Sequence, residues 1–234
     1  MSESEREALT KEHIRNLVEN YDEIIRKLIP QYEEMQQSVL GFLDFPADIE
    51  IAVLDLGIGT GETAQRILEA FPKSKIIGID LSQEMVEGAK QRLAKYPERV
   101  ELTVGNMADV ELPESVDAIV STLAIHHLTG EQKRALYQKL YRHLQTGGVL
   151  SLGDLVTFQD PKKAARTEQD WKDFIFGTLG QEQGQFRFDE YKKGDIPSPL
   201  ESQIEWLKEA GFQDVSVNWE LMNYAVFGGR KIEK

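Results

Sequence analysis

The 234-residue chain contains no cysteine. This excludes a disulfide framework, zinc ribbons, iron–sulfur clusters and thiol catalysis, and it fits a reducing compartment. Long apolar runs are missing too. None approaches the ~20 residues that a bilayer demands, and the mean hydropathy is −0.41. The opening stretch, MSESEREALTKEH, has no positive region followed by an apolar core, so no signal peptide is read. A basic excess is also absent. The 27 Lys and Arg stand against 40 Asp and Glu, net −13, which argues against broad binding to phosphate backbones. The reading is a soluble, cytoplasmic protein with no membrane, and composition weighs against a nucleic-acid partner. A homodimer is compatible with it.

What is present points to one α/β domain, a size that buries a core without staples. Residues 1–50 carry net −7, and this acidity reads as the solvated face of amphipathic helices. Apolar residues at helical spacing predict a helix over 10–28, with Thr10 as its cap and His13 in its first turn, and a second over 31–43 beyond Pro30. From residue 50 the pattern changes. Short apolar runs at 51–56, 75–80, 100–104, 116–122 and 149–155 alternate with helical segments at 62–70, 83–95 and 130–145. Such alternation means βαβ units and a parallel sheet. Residues 157–198 read as an insertion, helical over 161–178 and irregular after. A helix over 200–210 and two closing strands, 213–220 and 223–228, complete the chain. The division expected is an N-terminal helical cap, 1–48, on a domain over 49–234 with 157–198 as its lid.

The loop after the first strand reads Asp55-Leu-Gly57-Ile-Gly59-Thr-Gly61-Glu62. Between a strand and a helix, such a loop lets a ligand approach the backbone. It lacks the Gly-Lys-Ser/Thr of a P-loop. A dinucleotide fingerprint starting at Gly57 needs glycine at 62, and Glu62 there would oppose a pyrophosphate. Asp80 closes the second strand, where a carboxylate can accept from both hydroxyls of a ribose.

The pattern D-x-G-x-G-x-G resembles motif I of the class I S-adenosylmethionine (SAM) methyltransferases, over residues about 50–156. The resemblance implies a Rossmann-like, mostly parallel seven-stranded sheet with an antiparallel last strand, and SAM as cofactor. It places Asp55, Gly57, Gly59, Gly61, Asp80, Leu81, Ser121, and Asn106 with Met107 (beside the adenine amine), around that cofactor. Arg26-Lys-Leu-Ile-Pro30-Gln-Tyr32 is similar to a segment of the carboxy-SAM synthase branch and of small bacterial and archaeal methyltransferases. It implies that Arg26 and Tyr32 fold over the cofactor. A carboxy-SAM synthase carries an arginine in its insertion that meets the added carboxylate, and this chain has Arg187, Lys192 and Lys193 there.

Methyl transfer from a sulfonium needs alignment first, and a base only when the nucleophile must lose a proton. His126 and His127, after the fourth strand, are the candidate bases, with Asp154 orienting the substrate. Packing and helix capping are the competing roles for the two histidines. Tyr21, Trp171, Phe174 and Tyr191 are candidates for lining an acceptor pocket, against a core role. No metal-ligand set is read. The function expected is methyl transfer from SAM to an O or N atom of a small molecule. The alternatives are a carboxy-SAM synthase-like reaction on SAM and prephenate, a tRNA-modifying methyltransferase, and a SAM-binding protein without activity.

Overall fold

The computed structural model describes residues 21–233. The residues read as the start of the first helix, Thr10 and His13 among them, lie outside the described residues. Two helices come first, α1 (Tyr21–Leu28) and α2 (Tyr32–Gly41). Then follow β1 (Ala52–Leu56), α3 (Glu62–Ala70), β2 (Lys75–Asp80), α4 (Gln83–Arg92), β3 (Val100–Val104) and β4 (Val116–Thr122). The chain continues through α5 (Gly130–His143), β5 (Leu144–Leu155), α6 (Pro161–Leu179) and α7 (Gln181–Gly194). It closes with α8 (Leu200–Ala210), β6 (Gln213–Leu221) and β7 (Tyr224–Arg230).

The seven strands form one sheet in the order β3-β2-β1-β4-β5-β7-β6. The first five are parallel, and β7 runs antiparallel to both β5 and β6. The order reverses between β1 and β4, and a crevice opens at such a switch point beyond the carboxyl ends of the strands. Both faces of the sheet are covered. Val53, Ala118 and Val149 belong to one buried cluster, while their chain neighbours Leu54, Ile119 and Leu150 belong to the other. Side chains alternate across a strand, so a strand buried on both faces reads as a continuous apolar run.

Two readings are corrected. The segment after residue 178 is not irregular: α7 spans Gln181–Gly194. Gly180, at φ +80°, separates α6 from α7. Gly184 allows the two helices to meet, since a Cβ there would lie 3.0 Å from the Phe176 ring. The strand read as 149–155 begins earlier, at Leu144, which pairs with Val116 ahead of a register shift. Gly148 fits this crossing because a Cβ would sit 2.8 Å from the Asp117 carbonyl oxygen.

Helices α1 and α2 are tied to α6 and to the sheet by polar bonds. Trp171 Nε1 on α6 donates to the Leu28 carbonyl (2.8 Å), and Ser151 Oγ on β5 donates to the Val39 carbonyl (2.9 Å). No described helix is long and apolar enough to cross a membrane.

Candidate active site

The loops at the carboxyl ends of β1, β2, β3 and β4 border a cavity of about 510 Å³. That volume lies within the roughly 300–1,000 Å³ usual for small-ligand sites. One end is formed by the glycine loop and the end of β2. Gly57, at φ +72°, passes so close to the β4 loop that a Cβ would lie 2.2 Å from that of Ala124. Gly59, at φ +56°, has nothing among the described residues within 4 Å of where a Cβ would stand. Asp80 accepts from the Gly59 amide at Oδ2 (2.8 Å) and from the Ser82 amide at Oδ1 (2.9 Å). Each oxygen keeps a lone pair. Burial holds the Asp80 carboxyl above its usual range, and the backbone donors oppose that shift.

Gly57, Gly59, Asp80, Leu81, Asn106 and Met107 all line the cavity. Asn106 Oδ1 accepts from the Ala108 amide (3.0 Å), which fixes the turn after β3. Five other candidates for the cofactor do not line the cavity. Asp55 and Ser121 are buried in the sheet, Ser121 donating to the Leu56 carbonyl at 2.6 Å. Arg26 and Tyr32 do not reach the cavity; both turn to Glu62. Glu62 accepts from Arg26 (2.5 Å), Arg66 (2.7 Å) and the Tyr32 hydroxyl (3.3 Å). The carboxylate that would repel a pyrophosphate is thus neutralised, and it sits favourably at the N-terminus of α3. Gly61, at φ +83°, does not line the cavity either; a Cβ there would lie 3.3 Å from Ala89.

Asp55 shows what burial does to an acid at this point. Burial, and then the neighbouring Asp80 charge, push its carboxyl up to about 8, and Oδ2 has no hydrogen-bond partner among the described residues. The folded chain keeps a proton that the unfolded chain releases above pH ~4. Stability therefore falls as pH rises from about 4 to about 8. Asp55→Asn copies the uncharged form. It should melt above the wild type at pH ~8.5 and flatten the decline, which differential scanning fluorimetry would read; equal slopes would contradict the assignment.

The other end of the cavity is built by a short 3₁₀ turn, Ile125–His127, and by α6 and α7. His126 and His127 both line it, with ring centroids 4.2 Å apart. Buried Asp154 does not line the cavity. Its Oδ1 accepts from His126 Nδ1 at 2.5 Å, so the carboxylate faces the imidazole. Burial opposes a charge on His126, yet Asp154 and Asp195 outweigh it and raise the pKa above its usual value. Tyr21, Trp171 and Tyr191 line the wall, with the Trp171 and Tyr191 rings edge-on at 5.0 Å. Phe174 packs on the core instead.

Two residues matter here that no motif marks as catalytic. Asp195, just past α7, stands 3.4 Å from His127 Nδ1 and 3.7 Å from His126 Nε2. Arg187 lines the cavity, and its buried Nη1 has no hydrogen-bond partner among the described residues. Only the folded arrangement of α7 brings either one to the cavity.

A family model described as a methyltransferase domain matches residues 53–148. An uncharacterised methyltransferase of Bacillus cereus is 31% identical over 163 residues, 69% of this chain and 74% of that one. The chain belongs to the class I SAM-dependent methyltransferases. This SAM-dependent methyltransferase is also 25% identical over 226 residues to the carboxy-S-adenosyl-L-methionine synthase of Helicobacter hepaticus, covering 90% of both chains. Among solved structures, human N-acetylserotonin methyltransferase in complex with SAM shares the fold. It has a TM-score of 0.61 and 21% identity over 85% of this chain. The methyltransferase described here spans 52% of that chain's length. SAM is the cofactor of the family.

Proposed function

We propose that the chain transfers the methyl group of SAM to an oxygen or nitrogen of a small acceptor that carries an anionic group. The single observation behind this reading is the two-ended cavity. Asp80 and the glycine loop border one end, and His126, His127 and Asp195 the other. In that reading Gly57, Gly59, Asp80, Leu81, Asn106 and Met107 hold the adenosyl part of SAM. The bound cofactor supplies a methyl already activated by the sulfonium. The nucleophile forms its bond to the methyl carbon as the carbon–sulfur bond breaks, and the sulfur leaves as the neutral thioether of S-adenosylhomocysteine. The chain's own task is alignment. Trp171 and Tyr191 exclude water from the wall. The cluster of two imidazoles and the Asp195 carboxylate takes up the positive charge that a departing proton carries, with Asp154 as a positioning residue.

Arg187 selects the acceptor. A guanidinium nitrogen buried without a partner is costly, and a carboxylate or phosphate relieves that cost. Arg187→Gln should raise the KM for an anionic acceptor about 10- to 100-fold, the value of one charged hydrogen bond, with the Kd for SAM within about threefold of wild type. Turnover of uncharged acceptors alone, equal in both proteins, would contradict it. The reading as a whole is tested by mass-spectrometric detection of S-adenosylhomocysteine and methylated product across a panel of carboxylated and phosphorylated alcohols and amines. Product from such an acceptor supports it; SAM bound but unturned throughout would favour the non-catalytic alternative.

The same orphaned nitrogen favours one second reading, a carboxy-SAM synthase-like reaction, in which Arg187 meets a carboxylate added to the cofactor. The Helicobacter hepaticus relative is similar along most of the chain. Incubation with SAM and prephenate distinguishes the two, because only this reading yields a carboxylated SAM with no methyl acceptor present.

A further inference from the structure

We propose that His126, His127 and Asp195 form a binding site for a divalent transition-metal cation at the acceptor end of the cavity. For the acceptor's place, this rests on the methyl-transfer reading; the site itself stands on its own geometry.

One ligand atom from each of the three residues lies within 4.8 Å of the others. The spacing is not that of hydrogen bonds, which run about 2.7–3.2 Å. It is 3.4 Å from His127 Nδ1 and 3.7 Å from His126 Nε2 to the Asp195 carboxylate. Metal bonds of about 2.0–2.2 Å place neighbouring ligand atoms roughly 3.0–3.6 Å apart. The two Asp195 separations are within a few tenths of an ångström of that range, and the imidazole pair, no more than 4.8 Å apart, closes on a cation with a side-chain shift of about 1 Å.

The surroundings hold these ligands in a metal-binding state. Asp154 accepts from His126 Nδ1 (2.5 Å), so that nitrogen carries the proton, and in the neutral ring Nε2 presents its lone pair. This is the carboxylate–histidine–metal arrangement that fixes ring orientation and raises ligand basicity. Asp195 is set in place through the next residue. The Ile196 amide donates to the His126 carbonyl (2.9 Å), and buried Lys133 donates to the Ile196 carbonyl (2.6 Å) and to Ser198 Oγ (3.0 Å). Asp154 and Asp195 beside the cluster and Glu131 on the cavity wall make three acids, against two cations, the Lys133 ammonium and the Arg187 guanidinium of the same wall. A cation offsets that imbalance.

Two imidazole nitrogens and one carboxylate suit Zn²⁺, Fe²⁺, Co²⁺ or Ni²⁺ better than Mg²⁺ or Ca²⁺. Three protein ligands leave a position open toward the cavity, as catalytic metal sites do. An acceptor's oxygen or nitrogen can take that position. The cation then occupies the place where, in the metal-free protein, the cluster would receive a proton.

The test uses the full chain, stripped with a chelator and titrated with Co²⁺, with visible absorption and calorimetry as readouts. The expected result is one Co²⁺ per chain, with the ligand-field bands of a four- or five-coordinate site. Asp195→Asn and His127→Gln should each weaken binding at least ~100-fold, and Asp154→Asn about 10- to 100-fold through the loss of ring orientation. Thermal melts show whether each variant is folded. No stoichiometric Co²⁺, or equal Co²⁺ affinity in folded Asp195→Asn and His127→Gln, overturns the site. A separate SAM titration of the wild type keeps the two readings apart. SAM binding without Co²⁺ binding removes the metal and leaves methyl transfer standing, whereas Co²⁺ binding without SAM binding does the reverse.

Discussion

Asp80→Ala should weaken SAM binding by at least ~100-fold in isothermal titration. The argument starts from the end of β2. Both Asp80 oxygens already accept backbone N–H bonds, from Gly59 and from Ser82, and both keep capacity for a further donor. Two ribose hydroxyls donating to one carboxylate are two charge-assisted hydrogen bonds, each worth about 1.5–3 kcal/mol. Their loss amounts to roughly 3–6 kcal/mol, and each 1.4 kcal/mol is a factor of ten in Kd. The same substitution frees the Gly59 and Ser82 amides, so a loosened loop adds to the loss. Asp80→Asn separates the two effects. Its carbonyl oxygen still accepts, while the amide turns a donor toward the cavity, so it should lie between wild type and Ala. A Kd for Asp80→Ala within threefold of wild type would remove Asp80 from the cofactor site.

Trp171→Ala should lower the melting temperature by about 6–20 °C. Trp171 is buried among aromatic partners, edge-on to Tyr191 at 5.0 Å and to Tyr224 at 6.2 Å. Truncating a buried tryptophan costs about 3–5 kcal/mol, from lost transfer energy and the cavity left behind. In a chain of this size each kcal/mol moves the melting temperature about 2–4 °C. The indole also donates to the Leu28 carbonyl at the end of α1 (2.8 Å). That bond joins α6 to the helix that carries Tyr21 and Ile25 to the cavity. Trp171→Phe keeps most of the packing and loses only the donor, so it should cost about 1 kcal/mol. A shift under 2 °C for the alanine variant would show that the aromatic cluster contributes little to stability.

The central sheet was legible because each parallel strand is buried on both faces and so appears as an apolar run between helices. The glycine loop was legible for a related reason: only glycine tolerates the approach of Gly57 to Ala124 and its positive φ. Helix α7 was hidden. It holds Gly184 and Gly194, and glycine is a poor helix former. Its helical state comes from packing on α6, where Gly184 meets Phe176. Arg26 and Tyr32 were placed over the cofactor by resemblance, and the structure turns both to Glu62, because an acid at the start of α3 attracts the nearest guanidinium and hydroxyl. Asp195 and its meeting with the two histidines could not be read from spacing. Its place depends on how α7 ends and on Ile196 binding the His126 carbonyl.

The most direct test of the account is native mass spectrometry of the freshly purified chain, before and after addition of SAM, with the released small molecule identified. The account predicts one SAM or S-adenosylhomocysteine per chain, bound at once or on addition, and absent from Asp80→Ala under the same conditions. A chain that binds neither molecule would contradict the assignment of the glycine loop and Asp80 as a cofactor site.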